Sequence, residues 1–116
     1  MVYPDDMEVL NMSVQAVKTL TFRDEVLNAP KDMPVLVDFW APWCGPCQML
    51  SPVIEQISDE LDGVKVCKVN VDEEPDLAAS YEVFSIPTLI LFRNGEIENQ
   101  MVGVRPKAAI ISMITG

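Results

Sequence analysis

Trp40-Ala41-Pro42-Trp43-Cys44-Gly45-Pro46-Cys47 is the stretch from which the rest of the chain is best read. It follows the apolar run Val35-Leu36-Val37, interrupted by Asp38, and leads into a segment whose apolar positions recur at helical spacing, so two cysteines stand at a strand-to-helix junction. A helix start carries unpaired N–H groups and roughly half a positive charge, both of which favour a thiolate over a thiol. Cys44, at the outer end, gains most. The thiolate attacks in disulfide exchange, which makes Cys44 the candidate nucleophile. With two residues between them, Cys47 can reach the Cys44 sulfur, so the pair can close into a disulfide or open to a dithiol. Gly45 permits a tight backbone, and Pro46 costs nothing in a first helical turn, where its missing N–H would be unpaired anyway.

Working outward, Leu50, Val53, Ile54, Ile57 and Leu61 form one helical face that Asp62-Gly63 ends. Residues 35–41 read as a strand buried on both faces, because their apolar residues run on instead of alternating. Residues 64–71 read likewise. Strand, helix and strand in this succession imply parallel pairing with a right-handed crossover. Towards the N-terminus, Val14, Ala16, Val17 and Leu20 suggest a short strand at or near a sheet edge, after which Thr21 can cap a helix carrying Phe22, Val26 and Leu27 on one face. Towards the C-terminus, Pro75 opens a short helix reaching about residue 82, and residues 88–92 and 96–102 flank the hairpin signal Asn94-Gly95. Pro106 then opens a last helix with Ile110, Ile111 and Ile114 to bury. The expected fold is α/β: a mixed sheet, parallel at its centre with a C-terminal hairpin, covered by about four helices.

A chain of 116 residues, 49% hydrophobic, makes one domain. We expect that domain over residues 13–116, preceded by an acidic arm over 1–12 that is frayed or forms one short helix. A formal net charge of -10 with no histidine argues against nucleic-acid and anionic-membrane partners and favours partners with basic faces. Zinc needs about four ligands, yet there is no second paired cysteine motif, so no metal is expected. The three cysteines do not make a disulfide-stapled secreted scaffold. The N-terminal residues lack the basic and apolar regions of a signal peptide, and no apolar run is long enough to span a bilayer, so a cytoplasmic location is expected.

Trp43-Cys44-Gly45-Pro46-Cys47 resembles the active-site pentapeptide of the thioredoxin family. The resemblance extends through Val37-Asp38-Phe39-Trp40-Ala41, Pro52, Lys68-Val69-Asn70-Val71-Asp72, Ser85-Ile86-Pro87-Thr88, Phe92-Arg93-Asn94-Gly95 and Val102-Gly103, and covers about residues 35–103. It implies a general protein-disulfide reductase, monomeric, needing no bound cofactor, with Cys47 resolving the mixed disulfide and a thioredoxin reductase restoring the dithiol. It places Asp38 beneath the cysteines, where a raised pKa would let it take the Cys47 proton, with Lys68 in the adjacent strand tuning it. It makes Pro87 a cis-proline facing the cysteines. Trp43, Gly45, Pro46, Ile86, Val102 and Gly103 would then form a flat apolar patch around it, on which an extended substrate pairs with the backbone of Ile86.

Other readings of the same residues stand beside these. Asp38 could be satisfied by a structural ion pair with Lys68, and Ile86 and Val102 could be plain core. Cys67, mid-strand among valines, reads as a small core residue, with a regulatory thiol as the alternative. The chain could also be a dedicated electron donor or a disulfide isomerase, which differ in potential, or a non-catalytic binding subunit. Phe84 and Pro42 occupy positions often polar in the family.

Overall fold

The computed structural model describes residues 14–116; the arm expected over residues 1–12 lies outside them. Five strands form one sheet: β1 (Val14–Ala16), β2 (Val35–Trp40), β3 (Lys65–Asn70), β4 (Thr88–Arg93) and β5 (Glu96–Val102), in the order β1-β3-β2-β4-β5. β3 is parallel to both β1 and β2, whereas β4 is antiparallel to β2 and to β5. Helix α1 begins as Thr19–Phe22 and continues with π-helical spacing over Arg23–Leu27. Three further helices follow: α2 (Gly45–Glu60), α3 (Pro75–Ser80) and α4 (Lys107–Thr115).

Alternation along the strands divides the core into two layers. Val35, Val37 and Phe39 of β2 join Phe22 and Val26 of α1 and Leu77 and Ala78 of α3 on one face. Leu36 joins Leu50, Ile54 and Ile57 of α2 and Ile110 and Ile114 of α4 on the other. Asp38 shares the parity of Leu36, so it points towards α2, the helix that begins at the cysteines. Cys67 belongs to the first layer and is fully buried, and burial pushes its thiol up to about 11; it sits as the core residue expected.

The hairpin turns at Asn94 (φ 54°) and Gly95 (φ 80°), two successive left-handed residues that match the twist of the flanking strands. Two expectations near the N-terminus need correcting. Leu20 does not belong to β1; it lies in α1 with 95% of its surface exposed. Nor does Thr21 precede its helix. Lys18 holds the capping position, and its N–H donates to Thr21 Oγ1 at 3.1 Å from inside the first turn. The earlier start is fixed from a distance: Thr19 N–H and Oγ1–H both donate to Glu74 Oε1, at 2.9 and 2.8 Å.

Candidate active site

The chain leaves β2 at Trp40, passes through the buried Ala41 and folds back so that Cys44 N–H donates to the Ala41 carbonyl at 3.2 Å. Cys44 is the capping residue of α2, extended at φ -87° and ψ 111°, and its Sγ accepts the N–H of Cys47 at 3.1 Å. The sulfur thus occupies the position where Ser, Asp or Asn usually satisfies an unpaired helix donor. Gly45 and Pro46 form the first two helical positions behind it. Cys44 and Cys47 are joined by a disulfide across a Cα–Cα distance of 5.2 Å. Both are 4% exposed and pack with Ala41 against Trp40, Val71 and Ile86.

Sheet register brings the distant segment to this point. Phe39 of β2 pairs with Thr88 at the start of β4, so the residues before Thr88 lie beside the end of β2. The Ile86–Pro87 bond is cis. The Ile86 carbonyl oxygen lies 3.9 Å from Cys44 Sγ. Val102 pairs with Thr88, and Gly103, at φ 91°, donates its N–H to the Pro87 carbonyl at 2.8 Å. Trp43, 69% exposed, is held by a 2.9 Å bond from Nε1 to Asp72 Oδ2. Ile86 is half-buried against the sulfurs and Val102 is exposed, so neither is simple core.

Beneath the disulfide Asp38 is 6% exposed, and its Oδ1 has no hydrogen-bond partner among the described residues. Burial pushes its carboxyl up to about 7, and the charge of Lys68 pulls less strongly the other way. Lys68 is the register partner of Asp38, but forms no ion pair with it; its ammonium sits 5.4 Å from the centre of the Trp40 ring instead. The structural ion pair is therefore not what holds Asp38 there. A cavity of about 140 Å³ joins Asp38 to Cys47 and is lined by Trp40, Gln48, Ser51 and Lys68 as well. It has room for water, and Asp38, Gln48, Ser51 and Lys68 offer water polar partners there.

The structure thus gathers the candidate site residues, Cys67 apart, at the C-terminal ends of β2 and β3, the start of α2, the loop before β4 and the end of β5 with the loop after it. Four it adds. Gln48 and Ser51 line the cavity; the i,i+4 spacing of Ser51 from Cys47 could have suggested its place, whereas Gln48, next to Cys47, had no such signal. Asp72 anchors Trp43, a contact with no sequence signal, and Phe84 is 82% exposed. Among the described residues no three His, Cys, Asp or Glu are placed to hold a metal ion, and no helix is long and apolar enough to cross a membrane.

A closable cysteine pair at a helix start, beside the loop of a cis-proline at one end of a mixed five-stranded sheet, defines the class of thioredoxin-fold dithiol–disulfide oxidoreductases. The family model for thioredoxin matches residues 13–116. Thioredoxin of Porphyra purpurea is 48% identical over 104 residues, covering 89% of this chain and 95% of that one. Thioredoxin of Rickettsia felis is 50% identical over 95 residues, covering 81% and 89%. Among solved structures, a mutant thioredoxin from Halobacterium salinarum superposes with a TM-score of 0.78 at 39% identity, covering 86% of each chain. This chain belongs to the thioredoxin family, and it exchanges thiols for disulfides through the Cys44–Cys47 pair.

Proposed function

We propose that the chain reduces protein disulfides in general, with Cys44 as nucleophile, Cys47 as resolving thiol and Asp38 as the proton acceptor that Lys68 tunes. The observation that carries this is the place of Cys44 Sγ at the start of α2, accepting a backbone N–H while bonded to Cys47. In the reduced protein the same donor and the helix dipole favour the Cys44 thiolate. That thiolate attacks one sulfur of a substrate disulfide. A Cys44–substrate S–S bond forms, the substrate S–S bond breaks, and the departing thiolate takes a proton from water. Cys47 then gives its proton to Asp38 and attacks Cys44 Sγ. The Cys44–Cys47 bond forms, and the electron pair of the mixed disulfide leaves with the second substrate thiolate, which water protonates. The protein ends oxidised and the substrate doubly reduced.

Trp43, Gly45, Pro46, Ile86, Pro87, Val102 and Gly103 make the docking surface. A small, largely apolar contact suits a carrier that must engage many partners and release them. Thioredoxin reductase returns the pair to the dithiol, and the protein works as a cytoplasmic monomer whose catalytic unit is residues 13–116. The test is a Cys47→Ser variant, reduced and mixed with a disulfide-bonded protein. It should accumulate a covalent adduct through Cys44 that added dithiol dissolves, while Cys44→Ser yields none. No adduct from Cys47→Ser, with Cys44 still open to alkylation, would remove the mechanism.

A further inference from the structure

Phe84 lies outside the core. It belongs to no core layer and makes no ring contact among the described residues, whereas Val83 packs on the first layer, and Tyr81, three residues earlier, meets Phe22 tilted and Phe92 edge-on, each at 5.4 Å. With 82% of its surface exposed, Phe84 is more open to solvent than Trp43 (69%), Val102 (46%) or Val104 (44%). A single exposed apolar side chain is ordinary on a protein surface, but here Trp43, Val102 and Val104 are exposed as well, and Phe84 adds an aromatic face beside the docking surface set out above.

Its place in the chain indicates what that face meets. Phe84 lies two residues before Ile86, whose carbonyl faces Cys44 Sγ at 3.9 Å. Neither the N–H nor the C=O of Ile86 has a backbone partner among the described residues. A substrate cysteine bonded to Cys44 brings its own neighbouring backbone alongside these free groups, as an added strand. Phe84 is two residues from Ile86, at most about 7 Å along the chain, so its ring can reach a substrate residue close to the one that pairs with Ile86. If the residue paired with Ile86 adjoins the attacked cysteine, the one meeting Phe84 lies within three positions of that cysteine.

We propose that Phe84 determines substrate specificity: it selects disulfides in extended segments that carry a large apolar side chain within three residues of the attacked cysteine. The proposal rests on the exchange reaction and strand pairing set out above, and deepens them by naming the substrate class.

Three series of disulfide-bonded peptides test it, with Leu, Ser or Arg at each position within three residues of the attacked cysteine. The wild-type protein should favour Leu at one such position by about three- to tenfold in kcat/KM, the range of a single aromatic contact. The difference should appear in KM. Phe84→Ser should reduce that preference to less than about twofold, and Phe84→Leu should keep most of it. An exposed side chain is replaced in both, and the Leu-to-Ser ratio is read within each protein, so small differences in folding cancel. An equal ratio in wild type and Phe84→Ser, no preference in wild type, or an Arg series outrunning Leu would overturn the proposal. Turnover of a small aromatic disulfide with no flanking residues separates the two levels. Failure of the wild type there sinks the exchange reading, whereas success there without a peptide preference sinks the role of Phe84 alone.

Discussion

Asp38 pays for its position in stability, and the sign of that cost can be measured. A free aspartate ionises near pH 3.9, but burial holds the carboxyl protonated up to about 7 in the folded protein. Below about pH 4 both states hold the proton and there is no penalty. As pH rises from there to about 7 the unfolded chain ionises first, so stability falls, and above 7 the full cost, on the order of 4 kcal/mol, is present. Asp38→Asn should therefore raise the urea midpoint at pH 8 and leave it nearly unchanged at pH 3.5. The same substitution should slow resolution of the mixed disulfide by roughly tenfold to a hundredfold, the scale of a lost general base. In the wild type that step should accelerate as pH rises through about 7; in Asp38→Asn the inflection should vanish. Stopped-flow decay of a preformed mixed disulfide would show both. A charged residue inside the apolar run 35–41 is visible in the sequence as an anomaly. That Lys68 turns to the Trp40 ring and leaves Oδ1 without a partner is not, because side-chain direction follows from packing against α2.

Elements whose signal is periodic or chemically specific were legible before any coordinates. The apolar spacing from Leu50 to Leu61 gave α2 its face, and Asn94-Gly95 placed the hairpin to the residue. The start of α1 was not legible, since it depends on Glu74, which lies 55 residues from Thr19 and supplies an acceptor that no local pattern announces. Leu20 was misplaced for a related reason. A three-residue edge strand is too short for alternation to identify, and β1 takes its register from β3. At the hairpin the backbone requirement makes a direct prediction. Gly95 has φ 80°, and a Cβ built there would lie 3.1 Å from the Leu27 carbonyl oxygen. Gly95→Ala should lose about 1–3 kcal/mol in urea unfolding without a change of slope, because both the left-handed conformation and the close approach resist a methyl group.

At the scale of the whole molecule, the two-layered core carries the cysteines to one rim of the sheet and leaves the acidic surface to govern encounter. A net charge of -10 should make association with a basic disulfide protein fall with added salt. We expect kcat/KM for such a substrate to drop by about threefold or more between about 10 and 150 mM salt, and to stay flat or rise for an acidic one. The fold and the cysteine pair could be read from the sequence because both repeat strong local signals. The surface around the pair could not, because it is assembled from the start of α2 and the loops that follow β3, precede β4 and follow β5, which meet only when the sheet closes. That assembly makes the reactivity of Cys44 a property of the folded state. The most direct test is the pH dependence of Cys44 alkylation in the reduced protein, native and in urea. The native midpoint should lie well below the ordinary thiol value of about 8.5 and return to it on unfolding. Equal, ordinary midpoints in both states, or faster modification of Cys47, would contradict the placement of the nucleophile at the start of α2.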